Sequence, residues 1–341
     1  WVLEQTATLP GFSGALYHGS TVGLPGNSTL PATSDVDILI VLNGPIPPVK
    51  PGKIRYRDVL LDVSYLPLDQ VRSPEQVLGN AHVAGSFRKP SVISDPTGQL
   101  AALQARVARD FANRKWVRAR CEHARDKILR NLESLQNPAP LHDHVTAWLF
   151  ATGVTTHVLL VAGLKNPTVR RRYVDTRELL VDYGRADFQE TLLDLLGCAR
   201  MSQSRAEQHL AALADVFDAA KSVLKTPFFF ASDISDGARP VAVDGSRALI
   251  ERGLHREAIF WILAMYSRCQ KVLYHDAPVA LQERFRPGYH DLLSDLGITS
   301  PADLQQRGER VNQFLPRLQE VAEAIMATNP GIENEPETSF P

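Results

Sequence analysis

The chain has 341 residues, long enough for two domains of about 100–200 residues each, and its 44% hydrophobic fraction supports ordinary packed cores. Its 37 Lys and Arg nearly cancel its 38 Asp and Glu, so no field of one sign gathers a counterion-rich polymer, and duplex nucleic acid is not favoured as a partner. Cys121, Cys198 and Cys269 are far apart and odd in number, which fits neither a disulfide framework nor a CxxC metal site.

In chain order, Ala15 to about Asp95 reads as strands and turns, with short apolar runs, many Pro and Gly, and few stretches long enough for a helix. His18-Gly19-Ser20 follows an apolar strand that begins near Ala15. After the Gly/Pro/Ser/Thr-rich stretch Thr21 to Ser34, a strand Asp35-Val36-Asp37-Ile38-Leu39-Ile40-Val41-Leu42 opens on two acids. It is apolar on both faces beyond Asp37, the mark of a central strand with its acids at one end. The run Val59 to Leu66 carries a lone acid, Asp62.

Beyond Gly98 the period changes. Apolar residues from Leu100 to Leu135 recur three or four apart and predict one amphipathic helix, stopped by Pro138 and Pro140. A second helix spans His142 to Ala162, with Gly163 as its C-terminal cap, and two more span Asp187 to Cys198 and Arg205 to Leu224. Thr226 to Val243, with its Phe228-Phe229-Phe230 run, reads as a connection folded back on the rest. Asp244 or Ser246 is placed to cap a long helix reaching Tyr274, and Ala258 to Met265, apolar nearly all round, marks it as the central helix. The last helix runs from Pro301 to about Ala327.

The expected fold class is therefore α+β: a small mixed sheet with flanking helices over residues 1–98, an all-α bundle over 99–328, and a mobile polar tail over 329–341. No run of about 18 consecutive apolar residues and no secretion-type start is seen, so no membrane partner and a cytoplasmic location are expected.

Residues two apart on a strand face the same way, so Asp35 and Asp37 project side by side, opposite Val36, Ile38 and Ile40. Two adjacent carboxylates require a cation. Asp62 must meet a cation, a donor cluster or water-filled space, because an unpaired buried carboxylate costs several kcal/mol. If the two strands are neighbours, three carboxylates converge, as two-metal phosphoryl transfer requires. Gly19-Ser20 lets the backbone approach a phosphate closely.

Gly19-Ser20, then Asp35-Val36-Asp37, then Asp62 resembles the signature of the DNA polymerase β-like nucleotidyltransferases, and the order of domains is similar to that of the aminoglycoside nucleotidyltransferases of the streptomycin and kanamycin type. The resemblance implies a nucleotidyltransferase-type sheet and a magnesium-dependent adenylyltransferase. It would transfer AMP from ATP, or the equivalent from another NTP, to a hydroxyl of a small molecule such as an antibiotic. It also implies that Gly19 and Ser20 seat the triphosphate, that Asp35 and Asp37 hold two Mg²⁺ ions, and that Asp62 completes the metal site or acts as base. Alternatives are nucleotidylation of a protein or RNA, and a non-catalytic nucleotide-binding protein. The stretch Thr21 to Ser34 is longer than the family's common spacing and carries Pro25 and Pro31, so no regular helix is expected after Ser20.

Arg268 and Lys271 share a helix face, with His275 following; either they reach a triphosphate, as a basic residue on a late helix does in the streptomycin-type enzymes, or they form a salt-bridged helix end. Lys127 is a lesser candidate of the same kind, and the basic run Arg114 to Arg130 is read as a solvated face. His142-Asp143-His144 is read as a helix cap rather than a metal site, Asp233 and Asp236 as turn residues with lining of the acceptor cleft as the alternative, and His18 as either touching nucleotide or filling a strand end.

Overall fold

The computed structural model describes residues 1–6 and 8–334. Phe12–His18 (β1), Val36–Leu42 (β2), Gly52–Tyr56 (β3), Val59–Pro67 (β4) and Val92–Ser94 (β5) form one sheet in the order β3-β4-β2-β1-β5. The β2–β4 pair is parallel and the others antiparallel, so the sheet is mixed and β2 is its middle strand. β3 and β4 make a hairpin whose two turn residues, Arg57 and Asp58, have φ of 46° and 64°, the left-handed geometry that matches the twist of paired strands.

Strand alternation divides the sheet cleanly. Ala15, Ile38, Ile40, Leu42, Leu61 and Val63 form a small core on one face, closed by Val2 and Trp1 from the N-terminal segment. Leu16, Leu39, Val41 and Leu66 point the other way and join the large core of the helices. Asp37 and Asp62 lie on this second face by the same period of two.

The helices are Pro74–Gly79 (α1), Ala84–Phe87 (α2), Gln99–Asp110 (α3), Arg114–Glu133 (α4), Leu141–Ala162 (α5), Arg172–Asp182 (α6), Ala186–Leu196 (α7), Gln203–Val223 (α8), Gly245–Glu251 (α9), His255–Asp276 (α10), Val279–Asp295 (α11) and Pro301–Thr328 (α12). The class is α+β, as expected. Ala258 to Tyr266 of α10 are all buried, so the predicted central helix is central. It shares that position with α5, which is long and apolar enough to cross a membrane by composition, yet 78% of its most apolar window is buried within the protein. α3 begins at Gln99, but one apolar core runs unbroken from the sheet through α1, α2 and α3 into the bundle.

Several expectations are corrected. The single helix over 100–135 is two: the chain breaks after Asp110, and Asn113 starts α4 by accepting a hydrogen bond from the Lys115 amide. The long helix to Tyr274 is also two, because Gly253 takes φ of 76° between α9 and α10, and Asp244 makes no side-chain cap. Asp143 does not cap α5 either; Pro140 holds the cap position and Asp143 binds Lys271. In the basic run, Arg120 is 2% exposed and donates to the carbonyls of Leu78 and Phe111, so it is core rather than solvated face. α6 and α11 had no counterpart in the sequence reading. In the tail, residues 329–334 are docked: Ile332 joins the core and Glu333 pairs with the backbone of Ala112 and Arg114. The remainder, 335–341, lies outside the described residues.

Gly153, at the middle of α5, has no room for a side chain. A Cβ there would sit 2.3 Å from Phe260 Cε2 and 2.5 Å from an Arg172 guanidinium nitrogen. Alanine gains about 1 kcal/mol of helix propensity, but overpacking costs about 1–3 kcal/mol, and two buried neighbours cannot both yield. Gly153→Ala is expected to lower the urea midpoint without changing the slope of the transition; an unchanged or raised midpoint would refute this packing.

Candidate functional site

The parallel register places Asp37 opposite Asp62, and the hairpin register places Lys53 opposite Asp62 on its other side. Three neighbouring strands thus bring Asp37, Asp62 and Lys53 to one place, with Asp35 immediately ahead of β2. One oxygen from each of Asp35, Asp37 and Asp62 lies within 4.8 Å of the others, and among the described residues these form the one such group of three or more metal-ligating side chains. The convergence expected from the sequence is present.

Two lysines complete the cluster, and neither was anticipated. Lys53 Nζ, 6% exposed, is hydrogen-bonded to Asp35, sits 2.9 Å from Asp62 Oδ2 and lies 3.6 Å from Asp233 Oδ1. Lys50 Nζ donates to the other Asp62 oxygen at 2.9 Å. Burial works to raise the Asp62 carboxyl, but Lys53 and Lys50 outweigh it and hold the group below the ordinary carboxylate value. Burial likewise opposes the charge on Lys53, and Asp35, Asp62 and Asp233 overcome it and raise its proton affinity. Asp37 is different. Burial first, then the charges of Asp35 and Asp62, push its carboxyl up to about 8. It is the member of the cluster with no counter-cation of its own.

Gly19 forms the opposite wall. Its φ of 65° is in the left-handed region, and a Cβ built on it would stand 2.0 Å from Asp37 Oδ2, so glycine is required on both counts. Its carbonyl accepts a hydrogen bond from Asn166 Nδ2 at 2.6 Å, which ties the turn to the loop after α5. Ser20 is exposed in the single 3₁₀ turn Gly19–Thr21, and no regular helix follows, as the prolines predict. His18 is neutral and structural: burial, then His82, lowers its imidazole to about 3, and its Nδ1 lies 2.6 Å from Ser86 Oγ.

The bundle reaches the cluster through Asp233, which is 8% exposed, rather than through a free cation. Arg268 donates to Asp233 Oδ2 at 2.7 Å while Asp233 Oδ1 faces Lys53, so Asp233 is a bridge and not merely a turn residue. Ser232 beside it closes on Gly52, where a Cβ would meet the Ser232 hydroxyl at 2.0 Å. This fixes the folded-back connection against β3. Arg268 therefore adjoins the site, whereas Lys271 is engaged by Asp143 at 2.7 Å. Half-buried Arg170, from the loop between α5 and α6, contributes positive field toward Asp35 and makes no ion pair among the described residues.

The donor set suits a hard divalent cation. The ligands are carboxylate oxygens, they are close enough to share an ion, Lys53 already stands among them as a cation, and Asp37 lacks one. Comparison of the chain with protein-family models, with curated proteins and with solved structures gives no match in any of the three. The family resemblance rests on Gly19, Ser20, Asp35, Asp37 and Asp62 and on the order of a small sheet followed by helices.

Proposed function

We propose that the protein is a nucleotidyltransferase with a nucleotidyltransferase-type sheet, moving a nucleoside monophosphate, AMP from ATP, to a hydroxyl group of a small acceptor and releasing pyrophosphate. The observation that carries the reading is the meeting of Asp35, Asp37 and Asp62 within 4.8 Å, one wall of the site being the Gly19 turn. Asp35, Asp37 and Asp62 would hold Mg²⁺, which when bound neutralises phosphate charge and lowers the pKa of an attacking hydroxyl. Gly19 brings backbone close to Asp37, and Ser20 presents a free hydroxyl at the surface of the same turn, where phosphate oxygens can be met. Arg268 and Arg170 add positive charge from the bundle side. Lys271, bound to Asp143, is left out of this role.

The electrostatics refine two roles. Asp62, held low by two lysines, is a weak proton acceptor, which favours a ligand role over that of general base. Lys50 and Lys53 also offset much of the acidity, so a neutral or anionic hydroxylated acceptor suits the site better than a polycationic antibiotic. Three unpaired, buried cysteines accord with a reducing, cytoplasmic setting.

The test is Mg²⁺-dependent pyrophosphate release from ATP across a panel of hydroxylated small molecules, with Asp35→Asn as blank. Acceptor-dependent release that vanishes in the variant supports the reading. ATP binding with no release across the panel shifts it to a macromolecular acceptor or a binding protein. A companion prediction concerns Gly19→Ala: the added Cβ must displace the Asp37 carboxylate, and a misplacement of about 1 Å costs about 10²-fold in turnover. Wild-type kcat/KM in that variant would remove Gly19 from the site.

A further inference from the structure

A cavity of about 440 Å³ opens between the start of α5, the far half of α10 and α11, and it is separate from the carboxylate cluster. At about 100° per residue, Gln270, Leu273 and Tyr274, which line it, are turned away from Arg268 on α10, while Lys271 and His275 on the neighbouring face act on His142. Its size falls in the range of small-molecule sites.

Its lining has a consistent chemistry. His142, Gln270, Tyr274, Gln282, Arg286 and His290 supply the polar groups, and no Asp or Glu is among the lining residues. Arg286 is exposed and makes no ion pair among the described residues. His142 is 6% exposed, and its Nε2 is buried without a hydrogen-bond partner. The nearest acid, Asp143, is 3.7 Å from that nitrogen, beyond hydrogen-bonding distance, and is already bound to Lys271. Burial above all lowers the His142 imidazole to about 4, so at neutral pH it is an uncharged ring with one free nitrogen. The side-chain amides of Gln270 and Gln282 are anchored, donating to the carbonyls of Phe285 and Ala277 at 3.1 and 3.0 Å. The Tyr274 ring, 54% exposed, stands 5.3 Å from the His142 ring and offers a flat apolar wall. An unpaired guanidinium and an exposed aromatic face thus open on one space, with the uncharged His142 among its lining residues.

We propose that this cavity binds a small aromatic anion, its ring against Tyr274 and its carboxylate or phosphate on Arg286, with the uncharged His142 as part of the inner lining. The site stands independently of the nucleotidyl-transfer reading. The experiment is isothermal titration of the full chain with phenyl phosphate, with benzyl alcohol as the uncharged control. Saturable one-to-one binding is expected, weaker by about tenfold or more for the alcohol and for Arg286→Gln, as loss of a charge-assisted hydrogen bond dictates. Tyr274→Ala, at an exposed position, is expected to weaken it as well. Equal affinity in wild type, Arg286→Gln and Tyr274→Ala would overturn the assignment. So would the absence of any saturable heat at millimolar ligand.

Discussion

Asp37→Asn is expected, on the proposed reading, to lower nucleotidyl transfer by about 10³-fold or more while making the metal-free protein more stable at pH 8. The first effect follows from losing an anionic ligand where the ion supplies several kcal/mol of transition-state stabilisation, each 1.4 kcal/mol being about tenfold. The second follows from the position of Asp37, whose carboxyl is pushed up to about 8 from an ordinary 3.8. Between those values the unfolded chain has released a proton that the folded chain keeps, so stability falls as pH rises through that window, by at most about 1.4 kcal/mol per pH unit. Above the window the full cost of charging remains. Asparagine carries no such proton, so its stability profile is flatter from pH 4 to pH 8. Asp62, with its lowered value, gives the opposite trend at acid pH, where stability is lost as its carboxylate is protonated. Urea midpoints of both proteins at pH 5 and pH 8 in chelator decide the matter: parallel profiles would mean that Asp37 titrates as an ordinary surface acid, and intact turnover would remove it from the chemistry.

Lys53→Met is the second large effect. The lysine is 6% exposed and faces three carboxylates, which are 11–20% exposed. Removing one partner of a buried pair leaves uncompensated charge and costs about 3–5 kcal/mol, far more than the 0–1 kcal/mol of a surface pair. Magnesium is expected to stabilise this variant more than it stabilises the wild type, because the ion then replaces the only cation that Asp35 had among the described residues. Melting temperatures with chelator and with millimolar Mg²⁺ check both parts. A variant as stable as wild type in chelator would show that Lys53 does not neutralise the cluster, and equal Mg²⁺ stabilisation of the two would show that ion and lysine do not share it.

The acids of the site were legible because strand alternation is a strict rule and because carboxylates on apolar strands lack another explanation. The lysines were not, since Lys50 and Lys53 lie in a Pro- and Gly-rich segment that resembles a solvated edge. A usable signal did exist. Tyr56 pairs with Val59 across the Arg57–Asp58 turn, and counting outward from that turn aligns Lys53 with Asp62. Asp233 was weighed as a turn residue because the fold-back that seats it is a long-range contact with β3, invisible to local pattern. Helix extents failed at Asn113 and Gly253 for a related reason: apolar spacing continues across each break, and only backbone capping and a left-handed glycine interrupt it.

The parallel pairing of β2 with β4 makes the cluster an internal check on folding. Side chains alternate along a strand, so a slip of one residue between these two strands would turn Asp62 to the opposite face and bury it against Ile38 and Ile40. Asp35 and Asp37 keep their places at β2 in such a sheet, and Asp62 is removed from the cluster altogether. If the cluster carries the proposed nucleotidyl transfer, a misregistered molecule lacks one of its three ligands, and activity per molecule would then report the fraction of chains that have folded correctly.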